Sequence, residues 1–401
     1  MKLNPFRPDF RLDPYPIYHQ LREVNPVHRS LGMWVLTRHA DVMNVLRDKT
    51  FSARSIPIQV HEQAQRTGLD GADRIERLAE KSLVFTDNPE HARLRGLVNR
   101  VFTGPSIAAL RPRIAVLASA LVQRAWAAGG LDVIAELAGP LPITVLCDWM
   151  DLPGDIRAQA GDWTRDIRFL LEPGLMRPAD LVRVRDVVET FTVALEAVVA
   201  ARRVAPGDDL VSALAAARTN SGDRLSDEEV AFVCMMCFIA GTETTKALVG
   251  NMVWALLTHE AQHRLLRANP GLAGAAVEET LRFESPLQQT KRLATVPTTV
   301  AGERVAPGNQ VLLCLAAANR DPAVFERPDE FDLSRNAKVQ VAFGYGMHGC
   351  LGGALASLQA ELVAVELYKR PETLELVHTE PQWQDQSLIL RGLARLEVNV
   401  R

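Results

Sequence analysis

Cysteine is scarce in this chain, with five in 401 residues, at positions 147, 234, 237, 314 and 350. So few thiols, and an odd number of them, exclude a disulfide-stapled secreted scaffold. Four of them lie in apolar runs, such as Val311-Leu312-Leu313-Cys314-Leu315, and read as small buried hydrophobes in a reducing compartment. Cys234 and Cys237 form a Cys-x-x-Cys pair, but no second pair or histidine cluster accompanies it. Zinc and dithiol redox chemistry are therefore set aside. An excess of one charge is also missing. The chain carries 45 basic and 48 acidic residues, a net charge of -3, which leaves no electrostatic footprint for nucleic acid. The N-terminal residues 1–9 lack an apolar core of signal-peptide length. The longest apolar stretch, Ala231 to Leu257, is interrupted by Glu243, Thr244, Thr245 and Lys246, which argues for a buried helix and against a membrane anchor. A cytoplasmic location is expected. Repeats, low-complexity tracts and linker-like runs are absent.

What is present is an ordinary globular composition, 47% apolar and 23% charged, with enough chain to bury a large core. Helical periodicity predominates. It covers Tyr15 to Val24, His39 to Asp48, Pro89 to about Phe102, Ile107 to Ala128, Asp132 to Met150 and Leu181 to Arg203. Met33 to Thr37 is strand-like. Asp87-Asn88-Pro89-Glu90 offers a cap, a first-turn proline and an early acid. Ser226-Asp227-Glu228-Glu229 opens a helix predicted to run to Thr258, apolar nearly all round and therefore central to the core. Gly241 predicts a local weakening there, as a kink or a widened turn. A helix from Leu272 to Glu284 follows, then β-branched segments from Thr290 to Leu313 punctuated by Pro297, Gly302 and Pro307-Gly308. Helix returns from Leu351 to Leu367. The expected class is mainly α with a smaller β region.

The most specific segment is Phe343-Gly344-Tyr345-Gly346-Met347-His348-Gly349-Cys350-Leu351-Gly352, directly before a helix. Four glycines in nine residues let the backbone approach a flat ligand closely. A cysteine at a helix N-terminus feels the positive end of the dipole, which favours thiolate, the form that binds iron. Within the long helix, Ala240-Gly241-Thr242-Glu243-Thr244-Thr245 places an acid and hydroxyls where an apolar core helix has no use for them.

The loop resembles the haem-binding loop of the cytochrome P-450 family, Phe-x-x-Gly-x-[His/Arg]-x-Cys-x-Gly, and the helix segment resembles its [Ala/Gly]-Gly-x-[Asp/Glu]-Thr motif. The resemblance runs from Pro14 to Arg391-Gly392, with the motifs in order. It implies a single domain over residues 1–401 in the cytochrome P-450 fold, with haem b (iron protoporphyrin IX) between the long central helix and the Cys-loop helix. Cys350 becomes the proximal ligand, whose electron donation favours O–O cleavage. Glu243 and Thr244 become the acid–alcohol pair that relays protons towards oxygen. His91 and Arg95, one helical turn apart, together with Arg292 and His348, become contacts to the haem propionates, for which an arginine fork is well shaped. Glu279-Thr280-Leu281-Arg282 resembles the family's Glu-x-x-Arg and, with Arg335, implies a buried structural network. One departure is Leu355-Ala356-Ser357-Leu358-Gln359, where many bacterial members carry Leu-Ala-Arg-x-Glu.

The same resemblance places Leu83, Val84, Met236, Ile239, Ala240, Leu287, Gln288, Leu388 and Ile389 along the substrate pocket. Mostly apolar, with Gln288, Gln289 and Thr290 adding polar groups, they suit a greasy molecule held by few hydrogen bonds. The implied function is monooxygenation by O2 of a terpenoid, steroid, polyketide or fatty acyl compound. No fused flavin or ferredoxin segment exists, so electrons would come from a separate ferredoxin or flavodoxin with its reductase, docked near Arg93, Arg100 and Arg113. A peroxide-using enzyme of the same fold, or a non-catalytic haem sensor or carrier, remains the alternative.

Overall fold

The computed structural model describes residues 2–370 and 372–401. The chain divides into two compact units, the first formed by residues 1–51, 111–141 and 244–401, the second by residues 52–110 and 142–243.

The first unit holds the β structure. A five-stranded sheet runs in the order Val27–Ser30, Met33–Leu36, Gln310–Leu313, Thr290–Ala294 and Phe51–Ser52. Its first two strands form a hairpin whose two-residue turn has Leu31 and Gly32 at φ 52° and 77°, the twist that a tight hairpin demands. Met33–Leu36 then pairs in parallel with Gln310–Leu313, which is antiparallel to Thr290–Ala294. Leu36, Val42, Val45, Phe51, Val311 and Leu313 close a core against this sheet. The strand Thr290–Ala294 therefore sits on a rigid base, and it carries Arg292. Helices Arg111–Ala128 and Ala273–Phe283 pack on Gly353–Tyr368, the helix that follows the cysteine loop.

The second unit is helical. Pro178–Val204 packs against Gly154–Ile167, Leu210–Ala216 and Asp73–Lys81. Phe191 anchors this core, with ring centroids 4.7 Å from Trp163 and 5.4 Å from Phe238.

The long helix spans Asp227–Thr258, 32 residues, and passes from the second unit to the first between Glu243 and Thr244. Its start is the reciprocal cap that the sequence suggests: the Glu229 N–H donates to Ser226 Oγ at 3.1 Å, and the Ser226 N–H donates to Glu229 Oε2 at 2.9 Å. It is the helix among the described residues long and apolar enough to cross a bilayer, yet 61% of its most apolar window is buried inside the protein. That burial is the signature of a core helix.

Three local expectations differ from the structure. The long helix stays α-helical through Gly241, without a π turn. The helix expected from Asp132 to Met150 is a π-helical turn, Val133–Ala138, followed by the α-helix Pro140–Trp149. Pro140 has no N–H to give, and the Gly139 N–H reaches back five residues to the Ile134 carbonyl at 2.9 Å. Asp87 does not cap the helix Glu90–Val98 through its side chain. Its carboxylate accepts from the Ser52 hydroxyl and from the Ala53 N–H at 3.1 Å, while its carbonyl takes the His91 N–H at 2.8 Å.

Candidate active site

The cysteine loop is shaped by its glycines. Gly344 and Gly346 sit at φ 67° and 70°, in the left-handed region. A Cβ on Gly346 would stand 3.0 Å from the Leu46 carbonyl oxygen, and one on Gly353 would stand 3.2 Å from the Phe343 ring. The turn closes when the Cys350 N–H donates to the Phe343 carbonyl at 2.8 Å. The Arg47 guanidinium lies 4.8 Å from the centre of the Tyr345 ring, pinning the outer side. Cys350 is exposed, whereas Cys147, Cys234 and Cys314 are buried and Cys237 is half-buried. Burial pushes the Cys147 thiol up to about 11 and those of Cys237 and Cys314 up to about 12, so these remain thiols. The loop thus presents one accessible sulfur at the head of the helix Gly353–Tyr368.

Beneath the loop lies a closed ionic knot. Arg282, with no exposed surface, donates through Nε and Nη2 to both oxygens of Glu279 at 2.8 and 2.7 Å. Arg335 Nε and the Asp332 N–H add bonds to Glu279 Oε1 at 3.1 and 3.0 Å. The remaining Arg282 hydrogens go to the carbonyls of Asn319, Pro328 and Glu330, at 3.1, 2.7 and 2.9 Å. Asn319 carries the connection onward: its Oδ1 accepts the Val341 N–H at 2.7 Å, two residues before the loop begins. The sequence marks Asn319 only as the start of the Asn319-Arg320-Asp321-Pro322 run that resembles the family pattern after Glu-x-x-Arg; its link to the loop is visible only in the structure.

Arg292 is buried on its strand, its Nη1 donating to the Lys291 carbonyl at 2.8 Å and to Thr290 Oγ1 at 3.3 Å. His348 is half-buried within the loop.

The central helix shows which of its residues can meet a ligand. Val233, Cys237, Ala240, Gly241 and Thr244 are half-buried, while their neighbours Cys234, Met235, Phe238 and Ile239 are fully enclosed. Steps of four, three and four residues put Val233, Cys237, Ala240 and Thr244 on one helical face. Ala240 is thus half-buried on that face. Met236, four residues before Ala240 and 8% exposed, borders the same face, Ile239 with 0% exposure lies on another, and Val233 and Cys237 join Ala240 as half-buried residues. Counting back from Thr244 in helical steps reaches Val233 and Cys237, but Met236 equally. Glu243 is half-buried beside this face.

In the first unit the structure brings Leu287 and Gln288 together with Leu388 and Ile389. Leu287 bridges to Leu390, and the Gln288 N–H donates to the Ile389 carbonyl at 2.8 Å. Gln289 Nε2 holds the Leu388 carbonyl at 3.0 Å. Leu287, Leu388 and Ile389 are half-buried; Gln288 is buried.

In the second unit His91 is buried and Arg95 half-buried on the helix Glu90–Val98. Burial, and then the neighbouring Arg95 charge, hold the imidazole below its ordinary value of 6.5. A carboxylate is the partner that would offset both effects. Leu83 is half-buried and Val84 exposed. Arg93 is not a free surface cation. It is bound by Glu90 at 2.7 Å, by Asp223 at 3.4 Å and by Glu229, the cap of the long helix, and its pKa is raised chiefly by the Glu90 hydrogen bond. Its charge is thus largely balanced within the protein. Arg100 and Arg113 remain exposed.

Comparison with known proteins agrees with this arrangement. The cytochrome P-450 family profile matches residues 179–390. The chain is 35% identical over 404 residues to the vitamin D(3) 25-hydroxylase of Pseudonocardia autotrophica, covering 98% of this chain and 96% of that protein. Among solved structures, CalO2 superposes with a TM-score of 0.91 at 32% identity, covering 100% of this chain and 98% of that one. P-450 BioI, in complex with acyl carrier protein bearing hexadec-9Z-enoic acid, superposes with a TM-score of 0.88 at 30% identity, covering 98% and 99%.

The fold and the cysteine loop define a haem-thiolate oxygenase. The chain belongs to the cytochrome P-450 family. It is a haem-dependent monooxygenase that acts on hydrophobic molecules, and the residues present fit that cofactor: an exposed cysteine on a glycine turn where a Cβ at 346 or 353 would crowd its neighbours, and a buried arginine, Arg292, suited to a carboxylate. When bound, the haem iron activates O2 so that one oxygen atom enters the substrate.

Proposed function

We propose that Cys350 is the axial thiolate ligand, and the observation that carries the assignment is its exposure at a helix N-terminus when none of the other four cysteines is exposed. His348, Arg292, His91 and Arg95 hold the propionates as hydrogen-bond donors and cations. Because these groups belong to one cofactor, the chain works as a single domain, a reading supported by relatives that match it over nearly its full length. Thr244 Oγ1 and the Glu243 carboxylate pass protons to the reaction centre. In the first unit Leu287, Leu388 and Ile389 form an apolar wall, and on the long helix the half-buried face of Val233, Cys237 and Ala240 is apolar as well. A mostly hydrocarbon substrate suits such residues, of the kind that the relative's vitamin D(3) or an acyl chain represents.

Electrons arrive from a separate ferredoxin or flavodoxin with its reductase, with Arg100 and Arg113 as exposed cations that an acidic partner can meet. The enzyme works in the cytoplasm, in keeping with its reduced cysteines. The reduced, carbon-monoxide-bound spectrum of the purified protein tests the ligand. The red-shifted Soret band of thiolate-bound haem is expected; a histidine-type band would overturn the assignment of Cys350.

A further inference from the structure

Asn251 is a polar residue with no exposed surface in the apolar second half of the long helix. It stands seven residues after Thr244, and seven residues are close to two full turns, so both lie on one face. Its Nδ2 donates to two backbone carbonyls, those of Glu284 and Arg391, each at 3.0 Å. Only the nitrogen end of an amide can serve two carbonyls, so the side chain has one allowed orientation. The two carbonyls belong to the two segments that flank the apolar wall. One leads into Pro286-Leu287-Gln288, the other ends the turn 387–391. These segments are joined by the Arg391 N–H to the Pro286 carbonyl and the Gln288 N–H to the Ile389 carbonyl, both at 2.8 Å.

One turn nearer Thr244, the helix meets the same segment again. A Cβ on Gly392 would stand 2.7 Å from the Ala247 Cβ, so the strap touches the helix with its backbone. From the outside, Arg391 Nε bonds Glu284 Oε1 at 2.7 Å, and Nη1 and Nη2 take the Arg11 and Leu12 carbonyls at 2.8 and 2.9 Å. The Tyr15 hydroxyl bonds the same Glu284 oxygen at 2.8 Å, and the Arg391 guanidinium lies 3.7 Å from the centre of the Trp383 ring.

We propose that Asn251 is a positioning residue of the substrate site: it locks Leu287, Leu388 and Ile389 in register with the helix that carries Thr244, so that the apolar wall presents substrate at a fixed height along that helix. Removing the amide leaves two buried carbonyls unserved and frees the wall to shift. The inference rests on the reading of those three residues as substrate wall.

The test compares imidazole, which reaches little beyond the iron, with clotrimazole, which is bulky enough to press on the wall. Both are titrated by their Soret shifts into the holoenzyme and its Asn251→Leu variant. The carbon-monoxide band is recorded in each, so that loss of haem ligation is seen separately. Clotrimazole binding is expected to weaken roughly tenfold while imidazole binding and the thiolate band stay unchanged. Equal weakening of both azoles would place Asn251 under the haem seat and overturn the proposal, as would no change in either. Should the variant not fold, hydrogen exchange of the wild-type holoenzyme decides. Peptides covering 386–392 are expected to be as protected as those covering 247–258, and markedly faster exchange in the former overturns the lock.

Discussion

The cysteine loop and the Glu279–Arg282 knot are joined by one asparagine, yet they are built on opposite principles. In the knot, every hydrogen of a buried guanidinium has a protein acceptor, and the carboxylate receives four donors. Nothing remains for a ligand. In the loop, Gly344 and Gly346 take left-handed backbone angles that glycine adopts without strain, and the turn they form presents an exposed cysteine. Charge that is buried and fully served marks structure; a reactive group held in the open by a glycine turn marks a place for something that is not protein.

The sharpest way to break this contrast is to remove the sulfur. Cys350→Ala is expected to abolish the thiolate-type carbon-monoxide band and turnover together, while the far-ultraviolet circular dichroism stays that of the wild type. A variant that kept the band would move the ligand elsewhere and end the comparison. Next in size is the knot. Glu279→Gln removes the counter-charge but leaves Arg282 in place, and an uncompensated buried cation costs about 3–5 kcal/mol. Thermal unfolding should fall steeply, and haem retention with it, because Asn319 passes the disturbance to Val341. The contrast is sharpened by the double change Glu279→Leu with Arg282→Met, which is expected not to restore stability. It strands the carbonyls of Asn319, Pro328 and Glu330 that the guanidinium had served.

These two regions also differ in how far the sequence alone could reveal them. The glycines, the cysteine and the following helix are contiguous, so their meaning is local and could be read directly. Glu279 and Arg282 are equally visible as a pair one turn apart, but such pairs are common on surfaces. Their burial depends on carbonyls between 37 and 48 residues away. The mainly α class with a smaller β region was legible from periodicity. The helix Asp73–Lys81 was legible too but passed over: Ile75, Leu78 and Ala79 stand at i, i+3 and i+4 among charged residues, the pattern of a short amphipathic helix. In the long helix the motif was clear and the facing was not. An apolar helix gives no amphipathic stripe, so periodicity alone could not say which of its residues are half-buried; Val233 and Cys237 stand out only in the structure.

A smaller effect is expected at the junction of the two halves of that helix. Thr244→Ala removes a hydroxyl from the half-open face but no part of either region compared above. The thiolate band and substrate-induced spin shift should persist, while product formed per reductant consumed falls several-fold as protons arrive unguided. Measuring peroxide release beside product distinguishes this from simple loss of binding. Unchanged yield would take Thr244 out of the proton path and leave Glu243 without its partner.

The smallest effect concerns His91, which tests whether the open kind of site extends to the second unit. Its pKa is depressed by burial and by Arg95, so the folded haem-free protein prefers the neutral ring. Above the ordinary value of 6.5 the ring is neutral in both folded and unfolded chains, and pH has no effect through it. As pH falls below 6.5 the unfolded chain takes up the proton first, and stability declines until the lower, folded value is reached. Haem-free protein should therefore lose stability over that window, and His91→Gln, neutral throughout, should lack this part of the decline. Haem supplies a propionate, and a carboxylate beside the imidazole reverses the sign by favouring the charged ring. Histidine NMR of the diamagnetic ferrous carbonyl form should then find the His91 titration moved upward from its haem-free position. A titration that stays depressed after haem is bound would remove His91 from the propionate contacts, and the second unit would contribute a buried histidine of the closed, structural kind.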